Sequence, residues 1–533
     1  MKRHRYTWSI MGSKMKNQVF EHIFELLGYT IFISCLLSCT QQNRGRAYYL
    51  SNNGDDGNDG SISAPFKSIG KLNVLQLQPG DTVFFAAGQT FTGSILLDSS
   101  DSGLDKQPVV ITSFGAGNAT IDGDSATALT LHQCKFVQIK NLQFKGLGRK
   151  EGNIKDGIIV NECNNIFLDG LSVKGFQKAG MLIYNSSNIN INRVTATENG
   201  FAGISISGTG KKTDCKNINI RNCRAENNPG DPTNFTNHSG NGIIAGYCTN
   251  VTIEYCTATN NGWDMPRKGN GPVGIWCYEA DSVVIQHCIS YRNRTAPGAA
   301  DGGGFDFDGG VTNSIIQYCL SYENEGSAFG LFQYAGAGNW YNNTIRYCIS
   351  ENDGSISPAH AGVFVWNNSG DPAQLKDCYF HNNTIYNAKG AAISYEPQSL
   401  HSNFHFYNNI FVGRDSLIIG KNSGSNFLGN NWYSLKDGFN IKGSRTLQEW
   451  FATGRQEGYN GKVVGLNINP QFDSAATRIT NPDSLKYFNK YQLVPSSALR
   501  KGGINLEQAF NINTGGKAFN QNDAPVNGIG AVF

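Results

Sequence analysis

The sequence predicts an all-β solenoid, a chain wound into stacked coils of short strands. Three observations carry that reading: a repeat of about thirty residues, two short alternating runs inside each repeat, and Asn- and Gly-rich corners between the runs. The repeat shows in six cysteines, Cys223, Cys256, Cys288, Cys319, Cys348 and Cys378, spaced 33, 32, 31, 29 and 30 residues apart. A period of that length is one supersecondary unit, which buries its apolar face only by stacking on its neighbours.

The first segment, residues 1–38, reads as an export signal. A basic start (Lys2, Arg3, Arg5, Lys14, Lys16) precedes an apolar run from about Leu26 to Leu37. That run is too short to span a bilayer and fits a cleaved secretory signal. Leu36-Leu37-Ser38-Cys39 resembles a bacterial lipobox, which makes Cys39 the expected lipidated N-terminus of the mature protein. The expected location is the outer membrane, facing the cell surface or the periplasm, with the lipid as the only membrane contact. The net charge of +3 belongs to this leader, since residues 39–533 carry 39 residues of each sign. A neutral mature chain has no electrostatic footprint for nucleic acid.

Residues 39–106 are expected to form an N-terminal cap and the first strands, residues 107–430 roughly eleven coils, and residues 431–533 a C-terminal capping segment. In the coils one run ends at the cysteine (VTIEYC, SVVIQHC, NSIIQYC, NNTIRYC), and the other opens on a small residue, as in Gly242-Ile243-Ile244-Ala245 and Gly304-Phe305-Asp306-Phe307. Asn228, Asn261, Asn293, Asn324 and Asn383 fall five residues after their cysteines. Asn tolerates the left-handed backbone of a tight turn, and stacked Asn side chains can hydrogen-bond from coil to coil. The regular cysteine spacing predicts stacked, buried, mostly free thiols rather than a disulfide framework, and no CxxC pair suggests zinc. In the capping segment one clear helix is expected, from Ser444 as N-cap to about Phe451.

Both ends carry recognisable phrases: Tyr48-Tyr49-Leu50-Ser51, NNGDDGNDGS, Ala64-Pro65-Phe66 and Pro79-Gly80-Asp81-Thr82-Val83 at the start, and Asn469-Pro470-Gln471-Phe472, YQLVPSSALRKGG and Gly528-Ile529-Gly530-Ala531 at the finish. With these the chain resembles the right-handed parallel β-helix superfamily of pectate-lyase-like carbohydrate enzymes. The resemblance covers nearly all of the mature chain. It implies a single-stranded right-handed parallel β-helix, a polysaccharide or oligosaccharide substrate, and a monomer.

Strand alternation then selects the outward side chains. Ile275 and Cys277 point inward, so Trp276 and Tyr278 point out; the same phase exposes Asp306 and Asp308, then Gly330 and Phe332, Phe364 and Trp366, Ser394 and Glu396. Two aspartates thus stand at mid-solenoid with aromatic residues above and below. Sugar rings stack on aromatic faces, and a carboxyl pair is what glycosidic cleavage requires. Asp306 and Asp308 are the expected catalytic pair, with Asp301 or Glu396 as a third candidate. Trp276, Tyr278, Phe332 and Trp366 are expected to be solvent-facing stacking subsites, Arg267 is a candidate for a uronate carboxylate, and His238 and His360 flank the face. The Asp-rich loop 55–59 reads as a solvated turn.

Around GGGFDFDGG the chain also resembles family 9 polysaccharide lyases, in which a strand Lys is the base and aspartates hold calcium. Here Asp308 or a neighbour stands where that Lys would be, and EGSAFGL stands where a second Asp-rich motif would follow. The outward strand positions carry no Lys or Arg. Hydrolysis without a cofactor is therefore the leading expectation. A calcium-dependent lyase, with Asp306 and Asp308 as Ca2+ ligands, is second; a non-catalytic glycan-binding lipoprotein is the reading outside enzymology.

Overall fold

The structure, a computed structural model, describes residues 45–533 except 358, 399, 455 and 473–477. The expected signal segment 1–38 and Cys39 lie outside the described residues. The chain forms a parallel β-helix whose strands collect into a 24-stranded and a 13-stranded parallel sheet. The larger sheet holds the first two strands of each coil and the smaller sheet the third. Thr90–Thr92 opens the smaller sheet and Asn431–Ser434 closes it, which leaves eleven of its thirteen strands between residues 107 and 430. Parallel pairing already begins with Ala47–Leu50 on Thr82–Ala86.

Register is kept because each inward apolar side chain stacks on its counterpart one coil away; a slip of one residue would turn the whole set outward. One inner column runs Ile243, Ile275, Phe305, Phe329, Val363, Ile393, and all six are fully buried. Among the described residues the eleven cysteines are free and buried. Each thiol of the column Cys223, Cys256, Cys288, Cys319, Cys348 donates to the carbonyl two residues before it, at 3.2–3.3 Å.

Cys378 leaves that column. It pairs with Asn343 in a different strand, and the place above Cys348 is taken by Asn383. The fifth and last interval of the cysteine series therefore coincides with the repeat length without sharing its register. Asn383 correspondingly heads a second stack, Asn383, Asn409, Asn430, each amide donating to the next side-chain oxygen at 3.0–3.1 Å. The first stack runs Asn199, Asn228, Asn261, Asn293, Asn324 and ends on Asp353. The left-handed turn residues are not these amides but the residues just before them: Asn227, Asn260, Arg292 and Glu323, with φ from 52° to 55°. The ladder Asn is buried and spends its side chain on neighbouring coils instead.

The C-terminal helix spans Leu447–Gly454, starting two residues later than expected. Ser444 closes a bridge with Ile441, while Thr446 Oγ1 accepts from Glu449 N at 3.2 Å and starts the helix. Trp450 on this helix packs on Trp432 and Phe427 and closes the core. A second short helix spans Leu506–Phe510. Elsewhere in this segment Leu485, Phe488, Tyr491 and Phe519 cover Ile289, Leu320 and Ile349 on the side of the solenoid.

Candidate active site

The outward column of the larger sheet runs Trp276, Asp306, Gly330, Phe364, Ser394, as alternation requires. Beside it Phe332 pairs with Trp366. The aspartates and the aromatic residues thus share one face, but that face is more covered than expected. Trp276 is 3% exposed and Asp306 is 2% exposed. Trp276 donates from Nε1 to Asn241 Oδ1 at 3.1 Å, and the His238 ring meets it edge-on at 5.0 Å. Trp276 is therefore a loop-covered packing residue with Ile244, Val273 and the half-buried Tyr278, not a solvent-facing subsite. A long corner loop between consecutive coils overlies it, which strand periodicity does not register.

That wall is the physical cause of the carboxyl chemistry. Asp306 Oδ1 is buried without a hydrogen-bond partner. Burial, then the nearby Asp308 and Asp301, push its pKa well above the carboxylate range. Asp308, half-buried at the end of the same strand, accepts from Gly309 N at 2.7 Å. Burial raises it to about 7 against that hydrogen bond, with Asp301 and Glu279 adding to the rise. Asp301, in the preceding corner, accepts from Gly271 N at 2.8 Å and is raised by burial to about 6. The structure therefore brings Asp301, Asp306 and Asp308 into one electrostatic cluster. Burial shifts all three toward the protonated form, and at Asp306 the two neighbouring carboxyls add to that shift.

Gly330 makes room for this arrangement. A Cβ there would stand 2.8 Å from both Asp306 Oδ1 and the Phe332 ring. Phe332 meets Phe364 and Trp366 edge-on, with centroids at 5.5 and 6.2 Å, and Phe332 and Trp366 stay half-buried.

Glu396 is not brought to the pair. Its strand lies three coils from Asp306, roughly 14 Å along the axis at the usual strand spacing. Arg267 donates to Thr236 O within the corner loops. His238 is lowered to about 4 by burial and by Arg267, which keeps it neutral and structural. In the 55–59 loop, Asp55 Oδ1 accepts from Gly57 N and Asp59 Oδ1 from Ser61 N, as a turn requires.

Three residues escaped the sequence reading. Glu279 accepts from Gly338 N at 2.8 Å and faces Asp308 across Gly310. Tyr334 lies over Gly309, its hydroxyl pushed to high pKa by burial and by Asp308 and Glu279. Lys212 reaches from the loop after Ala202–Ser207 to donate to Thr312 Oγ1 at 3.2 Å. Burial lowers its pKa, opposed by Glu279 and Asp281. Strand alternation would turn Glu279 inward after the outward Tyr278, and its left-handed backbone (φ 42°) breaks that phase; nothing in a local pattern predicts a lysine reaching over the following coils. Among the described residues no three His, Cys, Asp or Glu side chains converge as a metal site.

The family described as "Pel9A-like, right handed beta helix region" matches residues 48–352. Solved structures similar to this chain include GH136 lacto-N-biosidase from Eubacterium ramulus, at 17% identity over 68% of this chain and 67% of that one, with a TM-score of 0.49. Pectate lyase Pel9A shares 15% identity over 91% and 96% of the two chains, with a TM-score of 0.44. The catalytic domain of a GH87 α-1,3-glucanase shares 14% over 65% of each, also at 0.44. No curated protein matches the chain.

Proposed function

The chain belongs to the Pel9A-like right-handed β-helix family, and on that premise we propose that it is an exported enzyme that hydrolyses glycosidic bonds in a polysaccharide or oligosaccharide. The observation that carries this reading is the Asp306 carboxyl, which is buried on the outer face with an unpartnered oxygen and a strongly raised pKa. A carboxyl kept only for structure would be hydrogen-bonded, because an unsatisfied buried polar group costs stability. A protonated one beside other carboxyls is poised to act as an acid.

Asp306 gives its proton to the glycosidic oxygen as the bond to the anomeric carbon breaks. Asp308, with the lower pKa, takes a proton from the water whose oxygen attacks that carbon. Alternating strand residues stand about 6.6–6.8 Å apart at Cα, a spacing compatible with inverting hydrolysis. Asp301 supports the pair by charge alone, holding the proton on Asp306. Phe332 and Trp366 offer ring surface for stacking sugars beyond Gly330.

Pel9A is a pectate lyase, which supports a glycan substrate and keeps β-elimination as the second reading. Lys212 favours that reading, as a partly buried amine with a lowered pKa near Glu279 and Asp281. The test is incubation of residues 40–533 with a polysaccharide panel, with and without EDTA, following reducing ends and the ultraviolet absorbance of unsaturated products. Reducing ends without absorbance are expected. Absorbance lost with EDTA would establish a calcium lyase, and tight binding without product would leave a glycan-binding lipoprotein. The proposal includes a lipid anchor at Cys39, an outer-membrane location and a monomer; loss of fatty-acid labelling in Cys39→Ala and light scattering of the mature chain test these.

A further inference from the structure

Beyond Asp306 the corner edge of the same sheet opens into a cleft of about 560 Å³. Its walls come from successive corners, which contribute His360, Lys389, Arg414 and Asp415, and from Ile419 and Asn440. Ile419 pairs with Ser394 and so continues the outward column of Asp306. At the usual strand spacing it stands four coils, roughly 19 Å, from that carboxyl. Phe364, halfway between, carries the His360 ring at 4.9 Å. The cleft and the candidate active site therefore lie along one line on one face. All of its lining falls at residues 354–440, beyond the stretch matched by the family.

The cleft carries uncompensated positive charge. Its one acid, Asp415, is already engaged: Oδ1 accepts from Asn440 Nδ2 at 2.7 Å, and Oδ2 pairs with Lys436 at 3.0 Å. Lys389 and Arg414 are exposed, and neither forms an ion pair among the described residues. His360 binds Ser357 Oγ through Nδ1 at 3.1 Å, and its Nε2 is buried without a partner. Two free cations and an orphaned imidazole nitrogen in one concavity are complementary to an anion.

We propose that this cleft binds an anionic substituent, a carboxylate or a sulfate ester, on the glycan chain that is cleaved at Asp306. The inference rests on the glycan-cleaving function proposed above and adds that the substrate is acidic several coils from the cleavage point.

The test is affinity electrophoresis of residues 40–533 in gels containing alginate, dextran sulfate or neutral dextran. Wild-type protein is expected to be retarded by at least one anionic polymer and not by dextran; alginate against dextran sulfate separates carboxylate from sulfate. Lys389→Gln/Arg414→Gln is expected to weaken that retention roughly tenfold, while Lys135→Gln/Lys174→Gln, which removes the same charge from distant coils, leaves it unchanged. Equal retention of all three proteins, or no retention of wild type, overturns the proposal. Both pairs are exposed, and a matching thermal midpoint confirms that each variant folds. Cleavage of neutral glycans without anionic retention would remove this site and leave the hydrolase standing; retention without cleavage of any glycan would do the reverse.

Discussion

Asp306 and Asp353 stand on neighbouring coils, and both are buried and raised in pKa, yet their surroundings differ. Asp353 ends the asparagine ladder: its Oδ1 accepts from Asn324 N and Nδ2 at 3.0 and 2.8 Å, and its Oδ2 from Ser350 Oγ at 2.8 Å. Glu457 ends the second ladder in the same way, accepting from Asn430 and from Trp432 Nε1. Both lie near 7 because burial outweighs the hydrogen bonds they accept. Asp306 has the burial and two acidic neighbours, with no partner for Oδ1. Raised pKa alone therefore does not mark a functional site in this protein. The marker is an unpaid desolvation on the face where a substrate could complete it.

The comparison is most sharply broken at its two poles. Asp306→Asn should lower kcat by about a thousandfold, within the range for loss of a general acid, while the thermal midpoint holds or rises. An active Asp306→Asn protein would remove the site. Asn261→Ala, in the middle of the first ladder, should do the opposite. It strands Asn228 N and Nδ2, which donate to its Oδ1, and should cost about 3 kcal/mol in urea unfolding with turnover per folded molecule unchanged.

Gly330→Ala probes the contact between Asp306 and Phe332. The added methyl must displace the Asp306 carboxyl or the Phe332 ring, and about a tenfold loss of kcat is expected from such a shift with little change in stability. The smallest effect concerns pH. Asp308, Asp353 and Glu457 are each raised to about 7 in the folded chain. Their contribution is full below the unfolded values near 4 and is lost as pH rises through 7. The urea midpoint should therefore fall between pH 5 and pH 8, and fall less in Asp308→Asn. An identical slope in that variant would show that Asp308 titrates normally.

Much of the fold was legible because solenoid stacking repeats a local code. The inward phase of Ile275 and Phe305 and the outward phase of Asp306 and Asp308 follow from strand alternation, which depends only on the residues themselves. Cys378 shows the limit of counting: its interval of 30 matches the period, but the corner before it is longer, and Asn383 takes the column instead. Ser444 shows another, since a bridge to Ile441 withholds it from the helix that Thr446 caps.

What the sequence by itself determined is the solenoid, the free stacked thiols, the amide ladders and the identity of the outward column, since each depends on period and alternation along a single chain. Only the tertiary structure decided how wet that column is. The corner loops that bury Trp276 and Asp306, the reach of Lys212 over the following coils, and the meeting of Lys389 with Arg414 in one cleft all join residues from different coils. Desolvation is a property of what lies above a side chain, and periodicity along the chain carries no record of it.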